Sequence, residues 1–180
     1  TRPATRPLHL PVSDMADELK ADGSRSDEVS FRPISADSAA RLGPAFAAID
    51  PWAYYHYAGE ALAAYLAGQE EAAPRLEIRV GDDLAGAICI RKNWLRGPYL
   101  QFLGILPSFQ NRGVGSAALE WLEALATREK SQNVWVVASG FNTGALSFYE
   151  RFGFVRVATL DGLVADGTDE ILLRKRLAIR

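Results

Sequence analysis

The segment Pro107-Ser108-Phe109-Gln110-Asn111-Arg112-Gly113-Val114-Gly115 constrains this chain more than any other, because its two flanks ask for different secondary structures. Before it, Tyr99-Leu100-Gln101-Phe102-Leu103-Gly104-Ile105-Leu106 reads as a strand. After it, Val114, Ala118, Trp121, Leu122 and Leu125 recur at helical spacing and form one apolar stripe. A strand therefore runs through a short glycine-bearing loop into a helix N-terminus. The first N–H groups of a helix have no partner within it, and the helix dipole favours negative charge there. Gly113 and Gly115 carry no Cβ, so an anion can come close to the backbone. Arg112 adds a fixed positive charge with forked donors. This arrangement suits the holding of a phosphate or pyrophosphate. It is neither the three-glycine dinucleotide fingerprint nor a Walker loop, since no Gly-Lys-Ser/Thr follows.

The rest of the composition narrows the classes. The chain has 180 residues, 48% of them hydrophobic and 23% charged, which fits a single globular domain with a proper core. Its formal net charge of −2 gives no overall basic field to draw it to nucleic acid or to an anionic membrane. Arg174-Lys175-Arg176 reads as a solvated strand end. The one cysteine, Cys89, lies in the apolar run Leu84–Ile90 and reads as a small core residue. No apolar stretch is long enough for a bilayer, and no signal peptide pattern opens the chain, so a cytoplasmic location is expected.

Residues 1–28 contain Pro3, Pro7 and Pro11 with few large apolar residues, and are expected to form a flexible N-terminal extension. From Val29 onward the pattern is regular. Strands are expected at 29–34, 76–80, 84–91, 99–106, 134–138, 153–158 and 169–177. Helices are expected at 36–48, 58–67, 113–130 and 143–152. Strands alternating with helices make the class α/β.

A second motif sits downstream. Asn142 opens a helix, Tyr149 follows seven residues later, and Gly153-Phe154 leads into a strand. With the earlier loop, this resembles the GNAT superfamily of acyl-CoA-dependent N-acetyltransferases. That family's signature, Gln/Arg-x-x-Gly-x-Gly/Ala after the fourth strand, is matched by Gln110, Gly113 and Gly115, with Arg112 as an extra basic residue. The resemblance spans residues 29–180. It implies the GNAT fold in one domain, a mixed and partly splayed sheet flanked by helices. The implied reaction moves an acetyl group from acetyl-CoA, without a metal, to a primary amine of a small molecule or peptide by direct attack in a ternary complex. The implied assembly is a monomer or homodimer.

Acyl transfer from a thioester needs a neutral amine, a polarised carbonyl and a proton for the departing thiolate. In the resembled family the fourth strand diverges from its neighbour, and a freed backbone N–H points at the thioester carbonyl. Carried across, that donor belongs to Ile105, followed by Leu106 and Pro107. The cofactor contacts continue through Gln110, Asn111, Arg112, Gly113, Val114, Gly115 and Ser116, then Asn142, Phe148, Tyr149 and Arg151. Tyr149 is the candidate general acid, because a phenol is protonated at neutral pH. Asn142 also reads as a helix N-cap. Many family members carry a Glu where Gln101 stands here, and a carboxamide is no useful base. Glu77 and His56 are substitutes on chemistry alone, and deprotonation through water or by the acceptor itself is the reading preferred. An acyl-CoA-binding module without catalysis is the alternative that Gln101 motivates. The acceptor wall is expected to come from Trp52, Tyr54, Tyr55 and His56, between the first two helices, with Gln101.

Overall fold

The computed structural model describes residues 28–178. The expected flexible extension therefore lies, but for Glu28, outside the described residues. Seven strands form one sheet: β1 (Val29–Pro33), β2 (Arg75–Val80), β3 (Asp83–Arg91), β4 (Tyr99–Ile105), β5 (Asn133–Ser139), β6 (Val155–Asp161) and β7 (Asp169–Arg176). Four α-helices accompany them: α1 (Ala36–Ala47), α2 (Gly59–Ala67), α3 (Val114–Arg128) and α4 (Thr143–Arg151). The strand order is β1-β2-β3-β4-β5-β7-β6. Every neighbouring pair is antiparallel except β4 and β5, which run parallel.

Each face of the sheet has its own core. On one face α3 and α4 bury Val114, Ala118, Trp121, Leu122, Leu125, Leu146 and Tyr149 against Ile88, Leu100, Val134, Val136 and Leu173. On the other, α1 and α2 bury Leu42, Phe46, Leu62 and Leu66 against Leu84, Ala87, Cys89 and Phe102. Strand β3 feeds both cores, and for that reason it reads as an almost unbroken apolar run rather than an alternation. Cys89 is a buried core residue, as expected. Burial pushes its thiol up to about 12, so it is not a nucleophile at neutral pH.

Helix α1 starts at the N-cap Ser35, whose Oγ accepts from the Ser38 N–H at 3.0 Å. It also contains Pro44, a residue normally excluded from helix interiors. The reason is tertiary. Gly43 and Pro44 form the contact with α2, where Gly59 presses on Pro44. That contact fixes the loop between the two helices, which reaches over the sheet to the site described below.

The contact tolerates no added atom. A Cβ on Gly43 would lie 2.4 Å from the Gly59 carbonyl oxygen and 2.6 Å from the Ala63 Cβ. Helix propensity alone would favour Gly43→Ala by ~1 kcal/mol. Overpacking against a backbone carbonyl costs about 1–3 kcal/mol and outweighs it. Thermal denaturation is expected to show a lowered Tm for Gly43→Ala, against the sign of propensity; an unchanged or raised Tm would show that the helices part freely.

Candidate active site

The loop after β4 is built to leave donors free. Pro107–Phe109 makes a single turn of 3₁₀-helix with Pro107 at its start. The Leu106 N–H is already spent on the Ala85 carbonyl at 2.8 Å, so Leu106 contributes no free donor. Gln110 turns back, its Nε2 donating to the Ile105 carbonyl at 2.9 Å. Arg112 donates from Nη1 to the Ser108 carbonyl at 3.3 Å and lies over the Phe109 ring. Asn111 (φ 58°) and Gly113 (φ 80°) both adopt the left-handed conformation, which reverses the chain into α3. Gly113 is the N-cap and supplies no side-chain acceptor. The first backbone bond of α3 runs from the Ala117 N–H to the Gly113 carbonyl. The N–H groups of Val114, Gly115 and Ser116 precede it and have no partner within the helix.

The two glycines do different work. A Cβ on Gly113 would meet no protein atom within 4 Å, so the space above it is open. A Cβ on Gly115 would meet the Phe148 ring at 3.2 Å. Gly115 is therefore small chiefly so that α4 can pack on α3. Open space, free N–H groups and a nearby guanidinium form a donor set that fits a pyrophosphate.

Beside this loop the sheet comes apart. Strands β4 and β5 pair only at Tyr99 with Trp135 and Leu100 with Val136. The bond from Leu106 to Ala85 fixes the alternation along β4 and β3, in which Ile105 opposes Gly86 as a non-hydrogen-bonded pair. The Ile105 N–H consequently points away from β3 into the opening, while its carbonyl is held by Gln110. Gln101 is the extra residue of a bulge, since Leu100 pairs with Ile90 and Phe102 with Cys89. Its Oε1 is buried and has no hydrogen-bond partner among the described residues.

Tyr149 projects from α4 and is only 8% exposed. Burial, and after it the neighbouring Tyr99, raises its pKa above the ordinary phenol value. It therefore remains protonated well into the alkaline range. Asn142 caps α4, its Oδ1 accepting from the Ala145 N–H at 3.1 Å. Phe148 packs on Gly115 and Tyr149, and Arg151 stands exposed in the last turn of α4.

On the other side of the opening, Tyr54, Gly140, Phe141, Gly167, Thr168, Asp169 and Ile171 line a cleft of about 380 Å³. The residues expected at an acceptor wall separate here. Tyr54 lines the cleft and stacks on Phe141 at 4.0 Å. Tyr55 turns inward, its hydroxyl donating to Glu170 Oε1. Trp52 stacks on Phe102 at 4.6 Å and belongs to the α1–α2 core instead. His56 is exposed, with φ 55°, and is not among the lining residues. Glu77 is occupied too. It accepts from Arg79 Nε at 2.6 Å and from the Ser35 N–H, with Arg32 nearby. Burial works to raise its pKa, but the hydrogen bonds from Ser38, Arg79 and Ser35 outweigh that and lower it.

Sequence reading missed Phe141, Thr168, Asp169 and Glu170. Glu170 left one signal: an acid at an inward position of β7, two residues before Leu172 on the same face. The basic end of β7 also differs from expectation. Arg174 donates to Asn133 Oδ1 and lies over Trp135, and Lys175 pairs with Glu123. These are half-buried structural contacts.

The Acetyltransferase (GNAT) family model matches residues 40–154, which include the α1–α2 loop, the glycine loop, the β4–β5 opening and Tyr149. Solved structures of known proteins share the fold. The ribosomal-protein-S18-alanine N-acetyltransferase of Escherichia coli is similar with a TM-score of 0.66 at 15% identity, over 85% of this chain and 96% of that one. The NAA60 protein of Arabidopsis thaliana, solved with a bisubstrate analogue, gives 0.66 at 18% identity over 85% and 100%. A GNAT family acetyltransferase of Elizabethkingia anophelis, solved with acetyl-CoA bound, gives 0.62 at 17% identity over 84% and 99%. Family motif, sheet topology and site geometry agree: this chain belongs to the GNAT family of acetyltransferases.

Proposed function

We propose that this enzyme transfers an acetyl group from acetyl-CoA to a primary amine by direct attack within a ternary complex. One observation carries the reading. The β4–β5 opening presents the Ile105 N–H between a phosphate-competent loop on one side and the aromatic, acid-lined cleft on the other. Two substrates approaching from opposite faces would meet there. The Elizabethkingia anophelis structure with acetyl-CoA and the Arabidopsis thaliana complex with a bisubstrate analogue support this reading by analogy of fold. Burial of Cys89 argues against an acyl-enzyme through the only thiol in the chain.

Acetyl-CoA would supply the activated thioester. Val114, Gly115 and Ser116 hold the pyrophosphate with backbone N–H groups, aided by Arg112. The Ile105 N–H donates to the carbonyl oxygen as charge builds on it, a donor already held in place by the strand. Tyr149 gives a proton to the departing sulfur. The orphaned Gln101 Oε1 is an acceptor that an incoming N–H would satisfy.

Gly113→Asn tests the phosphate loop. Asn tolerates the left-handed conformation better than other side chains, so the fold is expected to persist. Its side chain would occupy the open space, and calorimetry is expected to show acetyl-CoA affinity falling about tenfold or more, ~1.4 kcal/mol. Unchanged affinity would remove the loop from the cofactor site.

Tyr149→Phe removes one hydroxyl. Acetyl-CoA affinity is expected to hold while the single-turnover rate falls by roughly 10²-fold. Because burial raises the Tyr149 pKa, the wild-type rate is not expected to decline through the ordinary phenol range near 10.0. A decline centred there, or a Phe variant as fast as the wild type, would assign the proton to another group. Thiol release from acetyl-CoA in the presence of an amine panel tests the activity itself.

A further inference from the structure

With Gln101 in place of an acid, Glu77 bound by arginines and His56 outside the cleft, no base has been assigned. Among the described residues, one buried carboxylate stands besides Glu77. Glu170 sits at the start of β7, 4% exposed, behind the cleft whose lining includes its neighbours Asp169 and Ile171. A buried carboxylate of this kind ordinarily faces a cation. Here its contacts are hydroxyls: Ser139 Oγ donates to Oε2 at 3.1 Å, and Tyr55 donates to Oε1. Ser139 belongs to β5, past the point where β4 has left it. Tyr55 belongs to the loop that forms the cleft's outer wall, edge-on to Tyr54 and Phe141. The Tyr55 hydroxyl also lies within hydrogen-bonding reach of Thr168, which lines the cleft, so the contact with Glu170 continues to the cleft wall.

We infer that Glu170 is the proton acceptor for the incoming ammonium and that Tyr55 relays the proton to it. The inference rests on the acetyl-transfer reading above. The step balances as follows. One N–H bond of the ammonium breaks and its proton goes to Tyr55 Oη as the Tyr55 proton goes to the Glu170 carboxylate. The freed nitrogen lone pair forms the C–N bond to the thioester carbon. The C–S bond breaks with its electron pair left on sulfur, which takes the Tyr149 proton. The surplus proton on nitrogen then restores Tyr149, and Glu170 returns its own to solvent. The titratable groups that face Glu170 are Tyr55 from the loop and Tyr99 from β4. Arg174, further along the same face of β7, is held by Asn133. Burial first, and then the bond to Glu170, raises the Tyr55 pKa, so Tyr55 keeps its proton until it is drawn to the carboxylate.

The test compares two nucleophiles small enough to enter any acceptor cleft: methylamine, a cation at neutral pH, and hydroxylamine, already neutral. Thiol release from acetyl-CoA is measured across pH for wild type, Glu170→Gln and Tyr55→Phe, with thermal denaturation of each. With methylamine, both variants are expected to lose about 10²-fold in kcat/KM and the acidic limb of the pH profile. With hydroxylamine the loss is expected to be at least about tenfold smaller, since no ammonium proton has to leave. Equal losses with both nucleophiles, or an acidic limb that survives in both variants, would make Glu170 a structural residue and overturn the inference. If Glu170→Gln does not fold, Tyr55→Phe carries the same comparison from a surface loop. A wild-type enzyme inactive with both nucleophiles would overturn the acetyl-transfer reading and this inference with it, whereas an active wild type with unaltered variants would overturn this inference alone.

Discussion

The parallel pairing of β4 and β5 stops after two residue pairs, and everything at the site depends on that stop. A sheet that continued would bond the Ile105 N–H to β5 and close the path between the two faces. The opening costs backbone hydrogen bonds in a part of the fold that is otherwise well buried. The local structure offsets some of this. Gln110 satisfies the Ile105 carbonyl, Leu106 bonds back to Ala85, and the Asn142 side chain satisfies a donor at the start of α4. The groups left open, the Ile105 N–H and Gln101 Oε1, are those a substrate can complete.

The two faces of the opening are made differently. On the α3 and α4 side the binding elements are backbone: free N–H groups, a left-handed Gly113, and close helix packing that Gly115 permits against Phe148. Backbone donors suit an invariant ligand part such as a pyrophosphate. On the other side the elements are side chains carried by loops, Tyr54 and Tyr55 between α1 and α2 and Phe141 between β5 and α4. The loop that carries Tyr54 and Tyr55 is anchored by the tight Gly43–Ala63 and Pro44–Gly59 contacts between α1 and α2. A surface of side chains can select a ligand by its shape, which a row of backbone donors cannot.

Much of the architecture was legible in the residues because local signals agreed. Alternation marked β1 and β2, the apolar stripe from Val114 to Leu125 marked α3, and Asn142 marked the start of α4 where it proved to be a cap. Pro44 inside α1 ran against local rules, since its justification is the contact with Gly59. The site was legible only as far as its motifs are continuous in sequence. The splay was implied by family resemblance alone; nothing in Tyr99–Ile105 announces that β5 will leave it. Trp52 looked like a wall and is core, because an aromatic run does not say which ring turns toward Phe102. Glu170 stayed hidden because its partners, Tyr55 and Ser139, lie 115 and 31 residues away.

We propose that acetyl-CoA lies along the N-terminus of α3 with its thioester at the Ile105 N–H. Backbone amide NMR during an acetyl-CoA titration reads this directly. The largest shift changes are expected on Ile105 and on Arg112 through Ser116, with amide hydrogen exchange slowed at Ile105 on binding. Saturable binding that leaves the Ile105 amide unmoved, or that shifts a different set of residues, would contradict it.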